Sequence, residues 1–182
     1  MNKSSSGWLA LLFVSVIAIM YQSADRSTDL LAEKNDQKSI AHAENLFSWT
    51  ADQVTLIHVS LAGSKSLVLN RTEKQEWSAS KKLDAALWKN FDVNVFLGTL
   101  SRAKEERQYG KEADGAKYGF AQPVVLRLEG MDAAHAIAEI KIGDLAPDGL
   151  SRYVLISGKD TIISIPNYHV KDLLRLYSSL GA

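Results

Sequence analysis

The side chains of this chain that could do chemistry are histidines and carboxylates, because the sequence contains no cysteine. That absence excludes disulfides, thiolate nucleophiles, cysteine-ligated zinc and iron–sulfur clusters. The histidines occur singly, and no pair has the i, i+4 or i, i+2 spacing that places two imidazoles on one metal ion. We therefore expect no metal site and no cofactor, and interpret each histidine as satisfied by hydrogen bonds within the fold or solvent-exposed: His42, His58, His135 and His169.

Two carboxylates in one Gly- and Pro-containing segment, Asp144 and Asp148, could act as an acid–base pair or hold calcium. The segment lacks the alternating oxygen ligands and distal Glu of a dedicated calcium loop, and its composition is typical of a turn between strands. The chain also has no Gly-x-Ser-x-Gly, no HExxH and no phosphate-binding glycine loop. We expect no catalytic residues; the alternative is an extracytoplasmic cell-envelope enzyme or ligand-binding protein that uses these two carboxylates.

The balance of basic and acidic side chains indicates whether the chain can bind nucleic acid. The chain has 182 residues, with 21 basic and 21 acidic side chains and a formal net charge of zero. A nucleic-acid-binding protein needs a basic surface to neutralise phosphates. The composition therefore predicts no nucleic-acid partner.

An uncharged apolar run from Trp8 to Tyr21 follows Lys3. With its uncharged flanks it would form a helix of about 30 Å, enough to span a bilayer. The alternative is a cleaved signal peptide, which needs small residues at positions −3 and −1. Cleavage after Ala24 would place Gln22 at −3, so we favour an uncleaved signal anchor.

The flanks of this run predict its orientation. Trp8 and Tyr21 lie at its two ends, where aromatic rings prefer the headgroup level, and Lys3 precedes it. We expect a single pass through the inner (cytoplasmic) membrane, with the N-terminus cytoplasmic and the rest of the chain periplasmic. Small or polar residues near one helical face could pack against another membrane helix: Gly7, Ser15, Ala18 and Gln22.

The remaining chain divides by composition. Residues 1–24 form the expected anchor, residues 25–46 a polar spacer that we expect to be helical, and residues 47–182 the folded domain. Within the domain, short apolar or alternating runs bounded by Gly, Asn and Pro predict strands. They fall near residues 54–59, 66–69, 75–79, 124–128, 136–142, 153–157 and 161–165.

Two apolar stripes at helical spacing complete the set of elements. One covers residues 83–101 and is either one helix or two short helices that meet near Asp92. The other follows Pro166 and turns Val170, Leu173, Leu174 and Tyr177 inward. The fold class expected is α+β: two antiparallel or mixed β-meanders with helices packed on one face, preceded by the transmembrane helix.

The order of several motifs resembles a known family. Trp77 ends the early meander, Lys117-Tyr-Gly-Phe-Ala-Gln-Pro123 leads into a strand, and Ile142-Gly-Asp144 follows, with Gly149 and Tyr153 beyond. This order over residues 47 to 180 resembles the uncharacterised "domain of unknown function 4340". At position 120 this chain has phenylalanine where the family usually has leucine. We interpret Trp77, Tyr118, Gly119, Pro123 and Gly143 as a structural motif, with Gly119 making the backbone turn.

The resemblance implies a single-pass, membrane-anchored extracytoplasmic protein, often encoded beside transporters of the gliding-motility type, and it supplies no catalytic residue. We therefore expect a noncatalytic accessory or interaction subunit. Its expected partners are the lipid bilayer and a larger membrane protein complex.

Overall fold

A computed structural model describes residues 44–61, 65–131 and 136–180. The chain divides into two compact units, Met1–Ala43 and Glu44–Ala182, and all described residues lie in the second. In this part of the chain no helix is long and apolar enough to cross a membrane. The expected anchor, with Trp8 and Tyr21, and almost all of the spacer lie outside the described residues. The same holds for His42, for His135 and for the residues expected to pack against another membrane helix: Gly7, Ser15, Ala18 and Gln22.

Eight strands dominate the described chain. Seven of them fall where the apolar alternation predicts strands. They are β1 Leu56–Leu61, β2 Ser66–Arg71, β3 Trp77–Ala79, β4 Arg107–Lys111, β5 Val124–Glu129, β6 Ala136–Leu145, β7 Ser151–Ile156 and β8 Thr161–Pro166.

The strands form one sheet in the order β3-β2-β1-β5-β6-β7-β8-β4. Every neighbouring pair of the sheet is antiparallel. The two meanders expected from the sequence are therefore continuous, because β1 pairs with β5 from Leu56 opposite Glu129 to Leu61 opposite Val124. The domain is thus an antiparallel-sheet α+β fold, and the mixed-sheet variant of the prediction is wrong.

Strand β4 is the one that the sequence pattern does not predict. Its sequence, Arg-Gln-Tyr-Gly-Lys, lacks apolar alternation and belongs to a charged stretch. It lies at the edge of the sheet, pairs only with β8, and has a register shift between Gln108 and Gly110. Charged residues and irregularities are typical of edge strands, because they prevent pairing with another chain.

Three α-helices are described: α1 Ala85–Asn90, α2 Val93–Leu100 and α3 Lys171–Ser178. The stripe over residues 83–101 is therefore two helices. Asp84 caps α1 by accepting from the Leu87 N–H, and Asp92 caps α2. Pro166 ends β8 and is followed by a 3-10 turn, Asn167–His169, before α3 begins at Lys171.

All three helices contribute to one core on one face of the sheet. Fully buried Ile57, Leu69 and Leu126 of the sheet meet Leu97 of α2 and Leu173 of α3 in this core. A smaller apolar cluster belongs to alternate residues of the same strands, such as Tyr153 and Leu155 of β7, and so lies on the opposite face. Another 3-10 segment, Glu112–Tyr118, supplies Tyr118 to that cluster. Helices on one face of the sheet match the prediction.

Candidate functional site

The motif residues around Gly119 and Gly143 meet in space. Gly119 ends the 3-10 segment Glu112–Tyr118 in the left-handed conformation, with φ 86°, and a Cβ atom added to it would collide with Asp144. A Cβ atom added to Gly143 would collide with the backbone carbonyl of Tyr118. Pro123 follows the turn and directly precedes β5. The two segments therefore lock together backbone to backbone, and glycine is the residue that permits this approach.

Three tyrosines pack beside this contact. The ring centroids of Tyr118 and Tyr109 each lie 4.9 Å from that of Tyr153, and Tyr109 lies 5.7 Å from Tyr118. Burial raises the pKa of the Tyr153 hydroxyl, and Tyr109, Tyr118 and Asp148 add to that rise. Such tilted and edge-on arrangements stabilise aromatic clusters. The cluster fixes the 3-10 segment on β4 and β7.

The carboxylate of Asp148 holds the β6–β7 turn. It accepts hydrogen bonds from the Leu150 N–H at 2.8 Å, the Ser151 N–H at 2.9 Å and the Ser151 hydroxyl at 3.0 Å. The backbone bonds from Ser151 and Leu150 lower the pKa of this carboxyl. Asp148 therefore acts here as a turn-stabilising residue.

We call the contact between the Gly119 turn and the Gly143 segment of β6 the corner. Arg152 supports this corner from β7. Its guanidinium donates to the Gly143 carbonyl at 2.9 Å and to Asn167 Oδ1 at 3.0 Å. Burial lowers the pKa of the Arg152 guanidinium, which the nearby negative charge of Asp144 opposes. Asp144 is exposed and lies against Gly119 and not beside a catalytic partner.

The side chains of Asp144 and Asp148 line neither of two concavities formed by the described residues. One of these concavities lies on the helical side of the domain and the other lies near Trp49. In the part of the chain that the structure describes, no three His, Asp or Glu side chains gather as a metal site would require. The geometry therefore gives these two carboxylates a structural setting.

Trp77 lies apart from the corner, at the other edge of the sheet. Its indole N–H donates to Asn94 Oδ1 at 3.1 Å, and the Arg71 guanidinium lies 5.7 Å from its ring centroid. This residue therefore ties the short edge strand β3 to helix α2.

A groove on the helical side of the domain is the feature that the sequence does not predict. It has a volume of about 300 Å³ and lies between α2 and the residues that begin α3. Its apolar members include Val95 and Tyr168, which are 60% and 65% exposed. The lining consists of Asn90, Phe91, Asp92, Val95, Phe96, Thr99, Tyr168 and Asp172.

The first turn of α2 determines the shape of the groove. Asp92 Oδ1 accepts from the Asn94 and Val95 N–H groups, at 2.9 and 3.0 Å, which fixes the first turn. Phe96 and Leu97 turn into the core. Val95 is consequently directed outward by the helical period.

His169 follows the groove residue Tyr168 and is 4% exposed; the two rings are tilted by 38°, with their centroids 4.1 Å apart. Its Nδ1 atom has no hydrogen-bond partner among the described residues. Burial lowers the pKa of this imidazole, partly offset by the Thr99 backbone and the charge of Glu106. The sequence predicts a histidine that is either satisfied by hydrogen bonds or solvent-exposed, whereas His169 is buried and its Nδ1 atom lacks a partner among the described residues.

One signal in the sequence points to the groove. The inward stripe of α2 is Val93, Phe96, Leu97 and Leu100, and Val95 does not belong to it. An apolar residue off the stripe of an amphipathic helix is surface-exposed unless a second surface covers it. Tyr168 gives no comparable signal, because its exposure depends on the 3-10 turn that precedes α3.

A second concavity, of about 550 Å³, lies near the 3-10 turn Ala51–Gln53. Trp49 and the 93% exposed Met131 contribute to it. The Trp49 indole N–H is buried without a partner among the described residues. Its other walls are Ser48, Asp52, Gln53, Gly130 and Ile137.

Fold and corner together define an antiparallel-sheet α+β domain in which a Tyr-Gly-Phe turn is locked onto an Ile-Gly-Asp strand. The family model described as "Domain of unknown function (DUF4340)" matches residues 88–180, just over half of the chain. The chain belongs to this family, as the motif order predicts. The match includes the corner and the groove but begins after Trp77. Neither the curated proteins nor the solved structures contain a match to the chain.

Proposed function

We propose that this protein is a noncatalytic accessory subunit of a larger membrane protein complex, held in the membrane by its N-terminal apolar run. Its folded domain lies on the periplasmic side and binds an extracytoplasmic segment of an integral membrane protein. The uncharged run from Trp8 to Tyr21 supports the anchor. The observation that carries the interaction role is the groove, into which Val95 and Tyr168 expose apolar surface.

Exposed apolar side chains grouped in a concavity are typical of protein interaction sites. Val95 and Tyr168 come from different elements, α2 and the 3-10 turn before α3, and still face the same groove. Tyrosine is also enriched at interfaces, because it adds apolar area and a polar hydroxyl at low conformational cost.

The alternative of a cell-envelope enzyme has less support. Its candidates, Asp144 and Asp148, lie at the corner, where Asp148 is occupied by the turn that it holds. Neither carboxylate lines the groove or the concavity near Trp49, so neither of these places brings a substrate to them.

Extraction of the full chain from membranes in mild detergents tests this proposal. We expect an integral membrane protein to co-purify in a fixed ratio, and Val95→Asp to remove it. Met131→Asp is the matched control, because Met131 is also apolar and exposed but lines the other concavity. A chain that runs alone and monomeric in several mild detergents contradicts the proposal.

A further inference from the structure

We infer that the groove between α2 and α3 binds a basic amphipathic segment of the partner, in which an apolar side chain is flanked by lysine or arginine. This inference rests on the proposed function, since it names the chemistry of the partner at the same groove. It is carried by the combination of apolar and acidic side chains that line the groove.

The floor of the groove suits an apolar side chain. Phe91 and Phe96 pack on each other with ring centroids 5.6 Å apart, and Phe96 also belongs to the core. Val95 and Tyr168 extend this surface to the rim. An aliphatic or aromatic side chain that enters the groove would displace water from the exposed Val95 and Tyr168 and pack against the two phenylalanine rings.

The charged members of the lining are all acidic. Asp92 and Asp172 supply two carboxylates, and no lysine or arginine lines the groove among the described residues. One oxygen of Asp92 accepts from the start of α2, which leaves its other oxygen outside that cap. The side chain of Asp172 makes no ion pair within the described part of the chain. Complementary charge on the partner is therefore positive.

An apolar floor next to two carboxylates disfavours several other kinds of binding partner. An anionic lipid surface or an acidic segment would be repelled by the two carboxylates. A purely apolar helix would leave both carboxylates partly desolvated and unpaired. A segment with a basic residue on each side of an apolar one satisfies the floor and the rim together.

Photo-crosslinking in the full membrane-bound chain tests the inference, with a benzoylphenylalanine placed at residue 95 or at residue 168. We expect the captured peptide to carry an apolar residue next to lysine or arginine. Combined Asp92→Asn and Asp172→Asn should lower the crosslinking yield by roughly three- to tenfold, because each lost charge pair weakens the complex modestly. Asparagine at position 92 retains the helix cap, and the same crosslinker at residue 131 serves as the negative control.

The inference is overturned by a captured peptide without basic residues or by capture of lipid or of a second copy of this chain. It is also overturned by a crosslinking yield that the two substitutions leave unchanged. If the partner still co-purifies but neither residue 95 nor residue 168 captures it, the groove assignment is wrong while the accessory role stands. If nothing co-purifies, the proposed function itself fails.

Discussion

The backbone carbonyl of Tyr118 occupies the space that a Cβ atom on Gly143 would need. These residues are 25 positions apart in the sequence, and the contact joins the 3-10 segment to strand β6. Arg152 donates to the carbonyl of the same Gly143 and so fixes the strand from its other side. The two glycine-containing motifs of this chain are therefore one structural unit.

Gly143→Ala should destabilise the domain. The new methyl group forces Tyr118 and Phe120 away from β6, and overpacking of this kind costs about 1–3 kcal/mol. Gly98→Ala is the matched control, because nothing lies within 4 Å of the added atom and Gly98 is inside α2. That control should raise the free energy of unfolding by about 0.5–1 kcal/mol. Urea denaturation of the full chain in micelles measures both; equal effects would contradict the close contact.

A second pair of glycines distinguishes the cost of a strained backbone conformation from the cost of a steric collision. Gly119 and Gly149 both have positive φ, 86° and 71°, but only at Gly119 would a Cβ atom meet another residue, Asp144. Gly149→Ala should cost only the left-handed conformation, about 1–2 kcal/mol. Gly119→Ala should cost more, as measured by the same denaturation. A smaller loss at Gly119 than at Gly149 would show that the corner yields easily.

Asp148 makes stability depend on acidic pH. Its pKa is lowered in the folded state by the N–H groups of Ser151 and Leu150, so the folded domain prefers the ionised form. The stabilisation is complete above the ordinary carboxyl pKa of 3.8 and is lost as the pH falls through the lower, folded-state value. Thermal unfolding measured across this range should show a smaller decline for Asp148→Asn than for the unaltered chain. Asp114→Asn, at an exposed carboxylate outside the turn, should retain the full decline.

His169 makes stability depend on pH in a higher range than Asp148 does. Burial lowers its pKa below the ordinary histidine value of 6.5, so the unfolded chain binds a proton that the folded chain does not. The free energy of unfolding should therefore fall as the pH drops below that ordinary value, and should level off below the folded-state pKa. His169→Gln should flatten that decline, whereas His58→Gln, on the half-buried face of β1, should preserve it. A decline unchanged by His169→Gln would place its origin elsewhere.

The sequence predicts much of this fold because the core strands follow a simple rule. Buried Ile57 and Val59 alternate with more exposed neighbours, and Val93, Phe96, Leu97 and Leu100 repeat at helical spacing, so period alone locates their elements. Strand β4 does not follow this alternation, because an edge strand buries little apolar surface and tolerates charged side chains. The joining of both meanders through β1 and β5 is a long-range pairing that no local pattern encodes.

The groove escapes sequence-based prediction for a related reason. Val95 and Tyr168 are far apart in the sequence and meet only because α2 and the turn before α3 pack side by side on one face of the sheet. The carboxylates of Asp144 and Asp148 have the residue type and spacing that chemistry could use. Their hydrogen bonds and neighbours, which spacing does not reveal, give them structural settings.

Two neighbouring positions of α2 should separate folding from binding. Leu97 is fully buried in the core, and Leu97→Ala should lower the free energy of unfolding by about 2–5 kcal/mol through lost burial and the cavity that it leaves. Val95 is exposed, and Val95→Ala should change the free energy of unfolding by no more than about 0.5 kcal/mol. Denaturation and partner co-purification, measured on both variants, should give opposite rankings: Val95→Ala weakens co-purification of a stable chain, while Leu97→Ala weakens folding first. If Val95→Ala destabilises the domain as strongly as Leu97→Ala, its side chain belongs to the core and the groove is not a binding surface.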